Sequence, residues 1–314
     1  MRKILALLAL APLLSAAIDG VVVNQTSGKP QAGVIVSLVQ PGQNGMQSLA
    51  SARSGADGAF KLDRDVPPPP ALLQAIYQGV TYTTILAPGA PASGVRVMVS
   101  DTTTNPAAAK LTQHILLLQP SANSIQVNEN FAVENDTNQT FQDSKNGSVQ
   151  FYLPDGVEAP ELSVSGTAGM AIRRKAVKTD KPNIYKFDYA IKPGRTTFEA
   201  MYMVDGADKF KGRVVGDTPL RLATPPSVTL SGESLKDLGQ EPQSRAHVYE
   251  VTAKDYEVTV EGTGTLGGGG GEDNGEPAMH QENARLYTRL PLVLSFSFAI
   301  LLLGGVLIFR RGAA

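Results

Sequence analysis

The sequence predicts an all-β protein of two tandem β-sandwich domains, followed by a Gly-rich tether and one C-terminal transmembrane helix. Three observations carry this. Short apolar stretches, many of them alternating and bounded by Gly, Pro, Asn and Asp clusters, recur from residue 18 to residue 260. Residues 267–271 are five consecutive glycines, followed by Glu272-Asp273-Asn274-Gly275-Glu276-Pro277, a composition that gives a flexible coil. Residues 290–309 are 20 residues without a charge, which as a helix rising ~1.5 Å per residue would span a bilayer core of ~30 Å.

The ends fix the expected compartment. Arg2 and Lys3 precede an apolar run over residues 4–14, and Ser15-Ala16-Ala17 offers small residues for cleavage. Residues 1–17 therefore read as a secretory signal peptide. Arg310-Arg311 follow the apolar segment and leave a cytoplasmic tail over residues 310–314. Arg285 and Arg289 on the other flank tie the positive-inside count, so the signal peptide decides the orientation. The short tail and n-region look bacterial, which puts the middle in the periplasm or on the outer cell surface. A C-terminal sorting signal is the competing reading of the tail, but Leu-Pro-x-Thr-Gly and Pro-Glu-Pro are both absent.

The 314 residues carry a formal net charge of −1, which hides an asymmetry. All 29 acidic residues lie between Asp19 and Glu282, while six of the 28 basic ones lie outside that stretch, so the middle has seven more acids than bases. An acidic ectodomain argues against nucleic acid as a partner. The absence of Cys excludes disulfides, thiolate metal sites, cysteine nucleophiles and a lipoprotein anchor.

Within residues 18–105, residues 18–23 read as a first strand, and Val34, Val36 and Leu38 share one face of a second. Asp57-Gly58 is read as a hairpin turn with Gly58 at positive φ. Phe60 and Leu62 alternate after it, and residues 72–77 and 80–85 pair across Gln78-Gly79. Pro67 to Pro70 read as a polyproline II strut. Residues 106–262 give a second β unit. Its strands are expected over residues 111–119, 124–134, 148–153 and 196–204, with Phe187, Tyr189 and Ile191 alternating in another and residues 256–260 the last. Its best-matching plan is immunoglobulin-like, without the Cys and Trp of true members. The tether is placed at 263–289.

Asp19-Gly20-x-Val22, Gly28-x-Pro30-x-x-Gly33-Val34-x-Val36-x-Leu38 and Asp57-Gly58-x-Phe60-x-Leu62 together resemble the carboxypeptidase regulatory-like, transthyretin-like domain. The resemblance covers residues 18–88. It implies a seven-stranded Greek-key sandwich, grouped with carbohydrate-binding-like folds, and an accessory module without catalytic residues.

Little else points to chemistry. His114 is expected on the outer face of its strand, His247 opens the last strand group, and His280 lies in the tether. No Gly-x-Ser-x-Gly elbow occurs, and the five glycines lack the Lys-Ser/Thr of a phosphate loop. Asp63, Asp65, Asp136 and Asp143 do not fit a calcium loop. No catalytic residue, cofactor or metal site is assigned. Asn24, Asn135, Asn138 and Asn146 head Asn-x-Ser/Thr triplets and read as turn residues. Two groups remain as contact sites. Tyr77 and Tyr82 lie close across a hairpin and could stack on a sugar, and Arg173-Arg174-Lys175 is the one basic cluster of the ectodomain. The functional expectation is a non-enzymatic, single-pass, membrane-anchored binding or scaffolding protein with a protein partner at the cell envelope. The alternatives are a carbohydrate- or cell-wall-binding surface protein, or an accessory subunit of a secreted or membrane enzyme.

Overall fold

The computed structural model describes residues 17–42, 45–89, 91–166 and 171–266. The expected signal peptide, most of the tether, the transmembrane segment and the tail lie outside the described residues. Among the described residues no helix is long and apolar enough to cross a membrane. Regular structure there is almost entirely β, with one short 3-10 turn at Pro106–Ala108.

The first eight strands are β1 (Ile18–Asn24), β2 (Lys29–Pro30), β3 (Ile35–Gly42), β4 (Gly45–Arg53), β5 (Ala59–Leu62), β6 (Ala71–Tyr77), β7 (Val80–Leu86) and β8 (Val95–Val99). They form two four-stranded sheets. One is antiparallel in the order β4-β3-β6-β7. In the other, β2 and β5 pair antiparallel with successive stretches of β1, and β8 runs parallel to it. Alternation along β3 buries Val36 and Leu38, as well as Val34 just before it, against Phe60, Leu62, Leu73 and Val97. That contiguous cluster is the core of residues 18–99.

The next strands are β9 (Thr102–Thr103), β10 (Lys110–Pro120), β11 (Ser124–Asn135), β12 (Thr140–Phe141), β13 (Val149–Tyr152), β14 (Glu161–Ser165), β15 (Ile172–Lys175) and β16 (Val177–Lys178). They are followed by β17 (Ile184–Phe187), β18 (Gly194–Asp205), β19 (Lys209–Arg213), β20 (Leu220–Thr224), β21 (Thr229–Ser231), β22 (Leu235–Gln240), β23 (His247–Val251) and β24 (Asp255–Glu261). An eight-stranded sheet, β15-β14-β18-β11-β10-β20-β23-β22, buries one face. Two three-stranded sheets, β13-β17-β16 and β19-β24-β21, share a second core with it. Phe131, Phe151, Phe187, Phe198 and Phe210 fill this core, with Phe187 and Phe198 edge to face at 5.3 Å.

Several expectations need correction. Gly58 does take positive φ (74°), but Asp57-Gly58 does not close a hairpin. β4 pairs with β3 in one sheet and β5 with β1 in the other, so the turn carries the chain between sheets. A Cβ at Gly58 would lie 2.7 Å from the Val22 carbonyl oxygen, which is why this arch needs glycine. The Pro67 to Pro70 stretch bends at residues 68–70, with Pro69-Pro70 cis, and is not a straight strut. The alternation of Phe187, Tyr189 and Ile191 stops being a strand at Phe187; Ile191 makes only an isolated bridge to Phe141. An immunoglobulin-like plan divides seven to nine strands between two sheets, whereas here one sheet alone holds eight and the opposing layer is split in two. The chain also stays attached beyond Glu261. Ser227 Oγ donates to the Thr263 carbonyl (2.8 Å), Gly264 N–H to the Pro120 carbonyl (3.1 Å) and Leu266 N–H to Gln119 Oε1 (3.0 Å). The first residues assigned to the tether are therefore part of the folded body.

Candidate functional site

Two polar constellations stand out, one inside the second core and one between the two cores. The first sits at the seam of the split layer. Its floor is His114 and Leu116 of β10, Glu129 of β11 and Tyr202 of β18. Its walls are Tyr152 and Pro154 on one side and Phe210, Gly212, Arg213 and Tyr256 on the other. Glu129 is 1 % exposed. His114 Nε2 donates to its Oε1 (2.7 Å) and the Tyr202 hydroxyl to its Oε2 (3.0 Å). The imidazole stacks on Phe131 with ring centroids 4.4 Å apart, and Nδ1 has no hydrogen-bond partner.

His114 faces inward, contrary to the sequence expectation. Leu111 pairs with Val133 and Gln113 with Ala132, so Thr112 is an extra residue, and its hydroxyl donates to the Ala132 carbonyl (3.1 Å). This bulge shifts the alternation by one. Leu111 packs against the core, and beyond the bulge it is His114, Leu116 and Leu118 that point in. Glu129 went unremarked in the sequence, yet it occupies one face with Ile125, Val127, Phe131 and Val133. A carboxylate at the centre of an otherwise apolar face is the signal that could have found it.

Chemically, this cluster is a closed hydrogen-bonding unit. The cleft lining contains no Ser, Thr or Cys, and the imidazole is 3 % exposed. Apart from His114 Nδ1 its groups pair with one another, so it acts on packing: a buried network tolerates only the register that pairs it. Burial above all holds the Tyr202 and Tyr256 hydroxyls above the usual phenol range, with the nearby Glu129 acting in the same direction. The folded-state values are raised, so the unfolded chain loses these protons first. The stability they contribute is fully present below the ordinary phenol value of 10.0 and is lost as pH rises beyond it. Thermal melts should therefore fall above pH 10, and fall less in Tyr202→Phe/Tyr256→Phe than in the parent chain.

The second constellation joins the two cores. Asp101 Oδ1 accepts from Asn24 Nδ2 (2.7 Å) and from the Tyr77 hydroxyl (2.8 Å). The Tyr82 hydroxyl donates to the Ser100 carbonyl (2.7 Å) and shares a 2.9 Å hydrogen bond with Thr140 Oγ1. Thr26 Oγ1 donates to the Asn138 carbonyl (2.7 Å), and Asn138 Nδ2 donates back to the Thr26 carbonyl (3.2 Å). Gln78 Oε1 accepts from the N–H and the hydroxyl of Thr102 (2.7 and 2.9 Å). Lys192 Nζ lies 5.2 Å from the Tyr82 ring centroid, and burial lowers its pKa. Tyr77 and Tyr82 are thus brought together with the connector between the cores. The Tyr82 ring is 6 % exposed, and a buried ring offers no face to a sugar. Asn24 and Asn135 are buried, and each accepts from the N–H two residues on, as Asx turns do.

Arg173, Arg174 and Lys175 are exposed on β15, the edge of the eight-stranded sheet. Charged edge strands resist pairing with other chains, which gives this cluster a structural role. Among the described residues no group of three or more His, Asp or Glu is placed to hold a metal.

No family model matches the chain, and no curated protein matches it. Among solved structures, it is similar to an M1 zinc metallopeptidase from Deinococcus radiodurans at 11 % identity and TM-score 0.27, over 49 % of this chain and 42 % of that one. The chain thus matches less than half the metallopeptidase's length. It is also similar to the major pilin subunit of Bacillus cereus at 9 % identity and TM-score 0.20, over 78 % of this chain and 84 % of the pilin. Likenesses this distant carry no functional argument.

Proposed function

We propose that this chain is a non-enzymatic, single-pass, membrane-anchored scaffold. Its extracytoplasmic part would be two tandem β-sandwiches acting as one stiff body that presents a surface to a protein partner at the bacterial cell envelope. The observation that carries the reading is the junction. Asn24, Tyr77 and Tyr82 from one core and Thr140 beside the other converge on Ser100-Asp101, while Asn138 pairs directly with Thr26, and a hydrogen-bonded hinge transmits position. The sequence supports the rest: the apolar residues 290–309, the Gly-rich stretch before them and the secretory N-terminus.

The test is made on the full chain. It should stay in the membrane pellet after carbonate washing, and protease added to spheroplasts should remove nearly all its mass. Exchanging residues 290–309 for an unrelated spanning helix should leave its complex intact. A soluble chain trimmed near its C-terminus would overturn the anchor, and a complex abolished by the exchange would move recognition into the membrane.

A further inference from the structure

Among the described residues four tyrosines are buried: Tyr82, Tyr202, Tyr249 and Tyr256. A buried phenol is normally hydrogen-bonded, because its hydroxyl gives up bulk water on folding. Three of the four comply. Tyr82 donates to the Ser100 carbonyl, Tyr202 donates to Glu129 Oε2, and the Tyr249 hydroxyl accepts from the Leu230 N–H (3.2 Å). Tyr256 is 6 % exposed, and its hydroxyl bonds to no described residue.

Gly212 explains where that hydroxyl goes. It pairs with Tyr256 across β19 and β24, and a Cβ at Gly212 would lie 2.2 Å from the Tyr256 hydroxyl oxygen. The phenol therefore lies over its own cross-strand partner, in a space that only glycine leaves open. There it lines the seam cleft together with His114, Glu129 and Tyr202. His114 Nδ1 is the second unmet group of that lining, buried and without a partner. The two groups are complementary. With Nε2 donating to Glu129, a neutral imidazole presents Nδ1 as an acceptor, while a phenol hydroxyl donates.

The size of the cleft decides what can join them. Its cavity measures about 10 Å³, room for one water and nothing larger. We infer that the seam is a binding site for a single water molecule, which accepts from the Tyr256 hydroxyl and donates to His114 Nδ1. A metal ion is the other species of that size, and among the described residues no group of three or more His, Asp or Glu is placed to hold one. The water carries the network of β10, β11 and β18 across the seam to β24. The eight-stranded sheet and the β19-β24-β21 sheet then share one hydrogen-bonded chain, and a bridging water is nearly as good a link as a direct bond.

Tyr256→Phe separates a wet seam from a dry one by sign. Deleting a buried hydroxyl that nothing satisfies stabilises a fold. Deleting one that holds a water removes a hydrogen bond, so the unfolding equilibrium constant in urea should rise about fivefold. Oxygen-17 relaxation dispersion of the full-length protein in detergent counts the long-lived bound waters directly, and the parent should hold one more than Tyr256→Phe. A Tyr256→Phe chain at least as stable as the parent would mean a dry seam and would overturn the proposal. Equal water counts with lowered stability would overturn it too, because the hydroxyl would then reach His114 without a bridge.

Discussion

Val36→Asp is expected to unfold the first sandwich while leaving the second core folded. Val36 is fully buried on β3, between Ala52 of β4 and Ala75 of β6, within an apolar cluster. The substitution forfeits about 1.5–3 kcal/mol of apolar burial and adds several kcal/mol for an unpaired buried carboxylate. That approaches or exceeds the total stability of a typical domain, about 5–15 kcal/mol. Limited proteolysis should then cut within residues 18–99 and leave a resistant fragment that begins near Asp101. An unchanged melt and an unchanged digestion pattern would refute the placement of this strand.

Glu129→Ala should have a comparable effect on the second core by a different route. It leaves the His114 N–H and the Tyr202 hydroxyl buried without an acceptor, a loss of about 3–5 kcal/mol for a broken buried pair. Removing the whole network together, as Glu129→Leu/His114→Leu/Tyr202→Phe, leaves nothing unsatisfied and should cost less than the single change. Urea midpoints compare the two directly. A triple variant weaker than Glu129→Ala by the sum of the separate losses would mean that the three groups act independently.

What was legible in the sequence was local. β1, β3 and the β6–β7 hairpin follow from alternation and from Gln78-Gly79, because a two-residue turn and a period of two act within a few residues. β4, Gly-Met-Gln-Ser-Leu-Ala-Ser-Ala-Arg, has no β-branched residue and no clean alternation; it is a strand because β3 offers it an edge. The parallel pairings of β1 with β8 and of β10 with β20 join segments far apart in sequence, and nothing local marks them. His114 faces the core rather than the solvent side its polarity suggests, because Glu129 gives the ring a buried partner and the bulged residue Thr112 sets the phase of the residues after it. Tyr77 and Tyr82 were legible as a close pair. Their use was not, because the groups that take their hydroxyls, Asp101 and Ser100, come within reach only once β8 has paired with the distant β1.

The central claim is that the two cores move as one body. The absence of Cys allows clean spin labelling at exposed Lys61→Cys in the first sandwich and Asp180→Cys in the second, followed by a pulsed dipolar distance measurement. The parent junction should give one narrow distance distribution, and adding Asp101→Ala with Tyr82→Phe should broaden it. A distribution already broad with the junction intact, or one of the same width after those two changes, would contradict the account.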